Sequence, residues 1–346
     1  MRLGVYYFGG WSGPLSNFHF DGLLSGAYAD RQPLYGWRDD STSTMRIQLS
    51  WARRMGIGFF NFLWYWRPER IEVEDPSLNT ALGNYLALPD HQGVDFAITY
   101  TNHRPFAVPL KRWHEVVEGW VTDYFDHPDY VRIAGRPVVF IYASTAFFEQ
   151  HGTDAGVNDA LEELRTVARE HGLPGVFVVG GTYVNSDDWS YPPGEPTAGE
   201  GYEALTQYAY MGAWGNAAGE HPYADLAAGG RQSWDRMAEM SAHPYIPVVM
   251  AGLDPRPWNE KWGGQLLWYR RTPEEVAGLL RDALEWVERH PSMRVEPEPA
   301  PPIVLITSWN ELGEGMYIVP TKGDGFSYGR AIASVLGVPW GQASDG

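Results

Sequence analysis

The chain has 346 residues, 44% of them hydrophobic, no cysteine, and a formal net charge of −17 from 43 acidic and 26 basic side chains. Zero cysteine excludes disulfides, thiol nucleophiles and cysteine-ligated zinc. The acidic balance, with no Lys/Arg run, argues against nucleic acid and acidic membrane surfaces as partners and is compatible with a neutral ligand such as a carbohydrate.

From the N-terminus, Arg2-Leu3-Gly4-Val5-Tyr6-Tyr7-Phe8 runs straight into a strand-like segment. It carries no basic region followed by an apolar stretch and a cleavage site, and no window approaches the roughly 18 apolar residues of a membrane span, so a cytoplasmic location is expected. Apolar runs bounded by turn residues then recur at 3–8, 57–64, 96–101, 137–143, 176–181, 205–210, 246–251 and 303–308. Most are near-continuous Val, Ile, Phe and Tyr, the pattern of parallel strands covered on both faces. Helical periodicity separates them. A first helix over 44–55 starts after a Ser/Thr/Asp cluster able to cap it and stops at Gly56. Others are predicted over 110–125, 158–171 and 273–290, the last opening Thr272-Pro273-Glu274-Glu275 with proline at the first helical position. The stretch 185–203, rich in Gly, Pro and Asp, is expected to be a long loop with at most a degenerate helix.

Strand–helix alternation repeated eight times predicts an α/β fold: one (β/α)8 TIM barrel with long strand-to-helix loops, forming a single domain over 1–346. An open doubly wound sheet is the alternative. Barrel enzymes work at the C-terminal ends of their strands. Nearly every predicted strand there delivers an aromatic residue and a hydrogen-bonding partner. They are Tyr7 from the first, Trp64, Tyr65, Trp66 and Arg67 from the second, and Asn102 and His103 from the third. Tyr142, Tyr183, Gln207 and Tyr208 follow from the fourth to sixth, Asp254, Arg256 and Trp258 from the seventh, and Trp309, Asn310 and Tyr317 from the eighth. Aromatic walls with polar rims suit sugars, whose C–H faces are apolar and whose hydroxyls are not.

Glu311 and Glu314 stand out chemically. Carboxylates three residues apart converge if the loop turns helically after the strand. Close like charges raise one pKa, giving a proton donor and a base near neutral pH, the pair that glycosidic cleavage requires. Other chemistries fare worse. Four of the ten histidines (His127, His221, His243, His290) precede proline and read as loop punctuation, and no His pair has metal-ligand spacing. The segment from Gly323 to Gly329 lacks dinucleotide-binding spacing and reads as a turn into the last helix. Gly10-Trp11-Ser12-Gly13-Pro14 misses the nucleophile-elbow pattern at its final residue. No metal, organic cofactor or protein partner is therefore expected.

Trp309-Asn310-Glu311-x-x-Glu314-Gly315-x-Tyr317-Ile318-x-Pro320 resembles the last-strand motif of glycoside hydrolase family 99, the endo-α-mannosidases, and of the WbsX-like domains of polysaccharide clusters. Gln48-Leu49-x-Trp51-Ala52-Arg53-x-x-Gly56-Ile57, Trp64-Tyr65-Trp66 and His127-Pro128-x-Tyr130-x-Arg132-Ile133-x-Gly135-Arg136-Pro137-Val138 resemble further WbsX-like blocks. Val319 departs from the acid often found there, and Asn102-His103 stands for the family's Asn-Glu. The resemblance implies a retaining hydrolase of 1,2-trans glycosides in which the sugar's own 2-hydroxyl is the nucleophile, Glu311 the base and Glu314 the acid. A glycosyltransferase and a non-catalytic carbohydrate-binding barrel are the alternatives. The missing ligand spacing predicts turnover that survives EDTA. Loss of activity in EDTA with recovery on adding a divalent ion would overturn that.

Overall fold

The computed structural model describes residues 2–16, 18–66, 78–182, 201–210, 217–258 and 267–340. Eight parallel strands form its centre: β1 Arg2–Tyr7, β2 Phe59–Trp64, β3 Asp95–Tyr100, β4 Arg136–Ile141, β5 Phe177–Gly181, β6 Ala204–Thr206, β7 Val248–Met250 and β8 Ile303–Thr307. Each pairs with its neighbour in chain order, and β1 pairs with β8, Val5 opposite Ile306. The ring closes between β6 and β7. There the Leu205 N–H donates to the Pro244 carbonyl and the Ile246 N–H to the Leu205 carbonyl, both at 2.9 Å. A closed ring leaves no strand edge unpaired. The alternation of apolar runs and helical periods thus produces the predicted barrel, and the open sheet is not formed.

The helices cover the outside: α1 Thr42–Met55, α2 Thr80–Leu86, α3 Trp113–Trp120, α4 Ser144–His151, α5 Asp154–Glu170, α6 Tyr223–Met240, α7 Pro273–Arg289 and α8 Ser327–Val335. Their ends follow the residues that announce them. The Ser41 side chain accepts from the Thr44 N–H, and Gly56 ends α1 at φ +80°. Thr272 and Glu275 form a reciprocal capping box at the start of α7. The helix predicted over 110–125 is composite, a 3-10 turn at Leu110–Arg112, then α3, then a π turn at Val121–Phe125. The predicted loop over 185–203 lies, except for its last three residues, outside the described residues. Among the described residues no helix is long and apolar enough to cross a membrane.

Strand alternation decides what enters the barrel. Tyr6 points in: its hydroxyl donates to the Gln207 carbonyl across the barrel (3.3 Å), and its ring meets Tyr208 edge-on at 5.0 Å. Tyr7 points out toward Gln48 on α1. On β2, Phe62 packs outward on Tyr85 of α2 and Trp64 on Trp120 of α3, while Leu63 faces the mouth.

Candidate active site

At the C-terminal mouth of the barrel lies a cavity of about 310 Å³. Glu311 and Glu314 line it, with Tyr65, Tyr142, Tyr208, His103 and Trp258 from the predicted set. Phe8, Phe18, His19, Leu63, Leu78, Thr101 and Phe106 complete the wall. Among the described residues no Lys or Arg lines it.

The glutamates arrive on a structure other than the predicted helical turn. Asn310–Glu311 and Met316–Tyr317 pair as a short antiparallel ribbon, and the chain reverses through 312–315. Two glycines make the reversal possible. A Cβ on Gly313 would stand 2.1 Å from the Trp258 ring, and Gly315 has φ +67° with Asp254 Cβ 2.7 Å from where its own Cβ would be. The ribbon is fixed from several sides. Asn310 clips the strand-1 loop, accepting from the Phe8 N–H and donating to the Phe8 carbonyl, both at 2.8 Å. The Trp11 indole donates to the Asn310 carbonyl (2.7 Å), and the Glu311 N–H donates to Ser308 Oγ (2.9 Å). Arg31 donates to the carbonyls of Leu312 (2.9 Å) and Asp254 (3.0 Å) and ion-pairs with the Asp254 carboxylate.

Burial pushes the Glu311 carboxyl well above the ordinary range, the Glu314 charge pushes it further, and a 2.8 Å hydrogen bond from the Tyr208 hydroxyl works against both. Burial also pushes Glu314 up to about 7. Burial and the nearby glutamates raise the pKa of Tyr65, Tyr142 and Tyr208 as well, so all three remain protonated, neutral donors around the pair. Two carboxyls with raised pKa facing one largely apolar cavity have the means to serve as proton donor and proton acceptor near neutral pH.

Other predicted site residues are placed elsewhere. The hydroxyl of Tyr7 and the indole of Trp309 both meet Gln48 behind β1, in a chain that ends on buried Asp39. Burial pushes Asp39 up to about 7, while Ser12 (2.7 Å) and Tyr7 (3.0 Å) donate to it. The Gln207 side chain faces outward, where Ser233 (2.7 Å) and Tyr245 (2.9 Å) donate to its amide oxygen Oε1. Trp64 donates to the Tyr124 hydroxyl, and Trp66 packs half-buried against the core; neither lines the cavity. Asn102 spends both ends of its amide on Ala143, at 2.7 and 2.9 Å. Asp254, Arg256 and Tyr317 stand at the same end of the barrel but line a second pocket. Burial works against the Asp254 carboxylate, yet Arg256 and Arg31 outweigh it and hold its pKa below the usual range. Arg67 and Tyr183 lie outside the described residues.

Sequence reading missed Phe8, Phe18, His19, Thr101 and Phe106 on the cavity wall, and Asp39 behind it. Phe8 and Thr101 were legible by strand alternation, each one residue from a residue singled out or its neighbour. Phe18, His19 and Asp39 sit in the long loop after β1, where no periodicity marks them.

Residues 109–332 match the family model described as Glycosyltransferase WbsX. No curated protein matches the chain. The glycoside hydrolase family 99 endo-α-mannosidase from Bacteroides thetaiotaomicron superposes with a TM-score of 0.61 at 18% identity, over 97% of this chain and 96% of that one. A protein described as glycoside hydrolase-like gives 0.62 at 16% identity, over 96% and 93%. The exo-β-1,4-mannosidase Op5Man5 from Opitutaceae bacterium strain TAV5 gives 0.54 at 11% identity, over 97% and 59%. At these identities the likeness is one of fold.

The raised glutamates make a stability prediction. A carboxyl whose folded pKa lies above its unfolded value favours folding only while protonated, so its contribution is lost as pH rises through the folded value. Glu314→Gln removes one such titration. The variant should melt a few degrees above the parent at pH 8, on the order of 2 kcal/mol more stable. The lead should vanish by pH 4. Equal melting temperatures at both pH values would mean that the pair is not strained by its charge.

Proposed function

The chain belongs to the WbsX family, whose model covers residues 109–332, and we propose that it is a retaining glycoside hydrolase acting on 1,2-trans glycosidic bonds. The observation that carries this reading is the pair of buried Glu311 and half-buried Glu314 lining one cavity of aromatic walls at the barrel mouth, with no cation among the described residues lining it. A sugar ring lies against Tyr65, Tyr142, Tyr208 and Trp258. Its endo-α-mannosidase-like fold supports α-mannosides as one substrate type; β-gluco and β-galacto types satisfy the same stereochemistry.

Glu311 removes the proton from the 2-hydroxyl, whose oxygen attacks the anomeric carbon from the face opposite the leaving group. Glu314 gives its proton to the departing oxygen as that bond breaks. The resulting 1,2-anhydro sugar opens when Glu314, now ionised, takes a proton from water, whose oxygen attacks the anomeric carbon. Glu311 returns its proton to O2. Two inversions leave the anomeric configuration retained. Tyr208 supports Glu311 in this role, because its hydroxyl stabilises the ionised form.

One observation favours the reverse assignment. Burial and the charge of Glu314 both raise the Glu311 carboxyl, which favours its protonated form. Glu311 is then the acid and Glu314 the base. The family's description as a glycosyltransferase favours a transfer reaction, but such a reaction needs a site for a charged leaving group, and among the described residues no Lys or Arg lines the glutamate cavity to meet one.

Paired variants separate these readings. Glu311→Gln should lose about 10²–10⁴-fold in turnover with no rescue by an activated aryl leaving group. Glu314→Gln should lose as much on a natural linkage and recover most of it on the activated substrate. The opposite pattern reverses the roles. A 2-deoxy glycoside should not turn over. If it does, or if a glycosyl ester is trapped on either glutamate, the 2-hydroxyl is not the nucleophile.

A further inference from the structure

Against the ribbon that carries the glutamates, the second pocket opens to about 560 Å³ and is lined by Arg31, Arg256, Arg270 and Arg271. Asp30, Asp254 and Asp324 line it too, so the four guanidiniums leave a small positive excess in a chain of formal charge −17. Among the described residues, three of the four arginines have a carboxylate partner and Arg271 has none within ion-pair distance. Arg31 and Arg256 both spend themselves on one carboxylate, Asp254, which Arg256 grips through Nε and Nη2 at 2.7 Å each. Arg270 is 75% exposed and stands 3.6 Å from Glu220. Arg271 lies between the rings of Tyr317 (4.3 Å) and Tyr328 (4.4 Å), and its Nη1 donates to the carbonyls of Ala251 and Tyr317, both at 2.6 Å. Among the described residues no carboxylate reaches ion-pair distance of it. The facing Asp324 instead accepts from Tyr317 and Thr321 within its own turn.

Aromatic faces hold three of these guanidiniums in place: Arg31 over Tyr28 (4.9 Å), Arg256 over Trp268 (3.6 Å) and Arg271 between its two tyrosines. Guanidiniums fixed in this way present their remaining N–H groups to an anion at little cost in side-chain entropy. The pocket and the glutamate cavity meet at the same turn, Glu314 lining one and Gly315 the other.

We propose that this pocket is a subsite for an acidic sugar, a hexuronate-type unit of the glycan whose carboxylate meets Arg271 and Arg256 while the neighbouring bond lies at Glu311 and Glu314. The place of that sugar in a cleaved glycan rests on the glycosidase reading; the recognition of the acidic sugar does not. Calorimetric titration of the full chain with D-glucuronate, D-glucose, inorganic phosphate and UDP tests it without requiring turnover. Glucuronate should bind at least ten-fold more tightly than glucose, and more weakly as salt is raised. Ala27→Glu, at an exposed position on the pocket wall, should weaken glucuronate at least ten-fold with folding intact, and Arg271→Gln should do the same where it folds. Glucuronate binding no tighter than glucose, or unchanged by Ala27→Glu, would overturn the proposal. So would tighter binding of phosphate or UDP, which would make the pocket a site for bare anions or nucleotides. If glucuronate binds as expected but no glycoside is ever cleaved, the hydrolase reading falls and the acidic-sugar site stands.

Discussion

Two carboxyl groups held under apolar walls resist being charged together: burial raises both, and the charge of Glu314 raises Glu311 further. The rest of the mouth is arranged around that constraint. Its polar wall is built of phenols, which donate hydrogen bonds without adding charge, and of rings that exclude water and so keep the two carboxyls interacting strongly. A tight ribbon turn over 312–315 brings them together here. Gly313 admits the Trp258 ring against the backbone, and Gly315 takes the left-handed conformation beside Asp254. Arg31 closes the arrangement from behind through carbonyls, so its positive charge is neutralised by Asp254 rather than by the glutamates. Among the described residues, the arginines at the mouth line the neighbouring pocket, beside Asp30, Asp254 and Asp324, and none lines the glutamate cavity.

The barrel was legible because its signal is redundant. All eight strands lie within the apolar runs or a residue beyond them, since parallel strands covered on both faces must be apolar throughout. The helices with strong punctuation, α1 between Ser41 and Gly56 and α7 after its capping box, fall where expected. Less visible were α2, α4 and α6. The first two are short, and α6 carries Gly229 and Gly230 in its middle, which dilutes its periodicity. Short β6, three residues long, is a strand because its neighbours demand a partner there.

The functional residues were legible to a coarser degree. Position after a strand places a side chain at the mouth, but only alternation decides whether it faces inward, and consecutive residues cannot both do so. Tyr65 and Tyr208 enter the cavity while Trp64 and Gln207, one residue earlier, face the helices. Tyr7 faces α1, and Phe8 lines the wall. The Glu-x-x-Glu spacing was visible, yet a helix and a ribbon turn both bring such a pair together, and the glycines that choose the ribbon declare themselves only through what they touch. The arginine pocket was the least legible. Its members come from the loop after β1, the loop after β7 and the segment before α7, and no short window contains more than two of them.

Three loops at the mouth are held in the same way. Asn310 pairs with the amide and carbonyl of Phe8, Asn102 with those of Ala143, and Asn79 with those of Tyr65, at 3.0 and 2.7 Å. Each clamp reads main chain and is indifferent to the side chain borne by the residue it holds. The rim is therefore modular: the residues at 8, 65 and 143 can be exchanged for others while the asparagines keep the backbone in register. On the proposed reading, descendants of such a barrel can change the ligand they take by trading the faces of the wall, with the two glutamates left in place, and a designer seeking altered specificity has the same freedom.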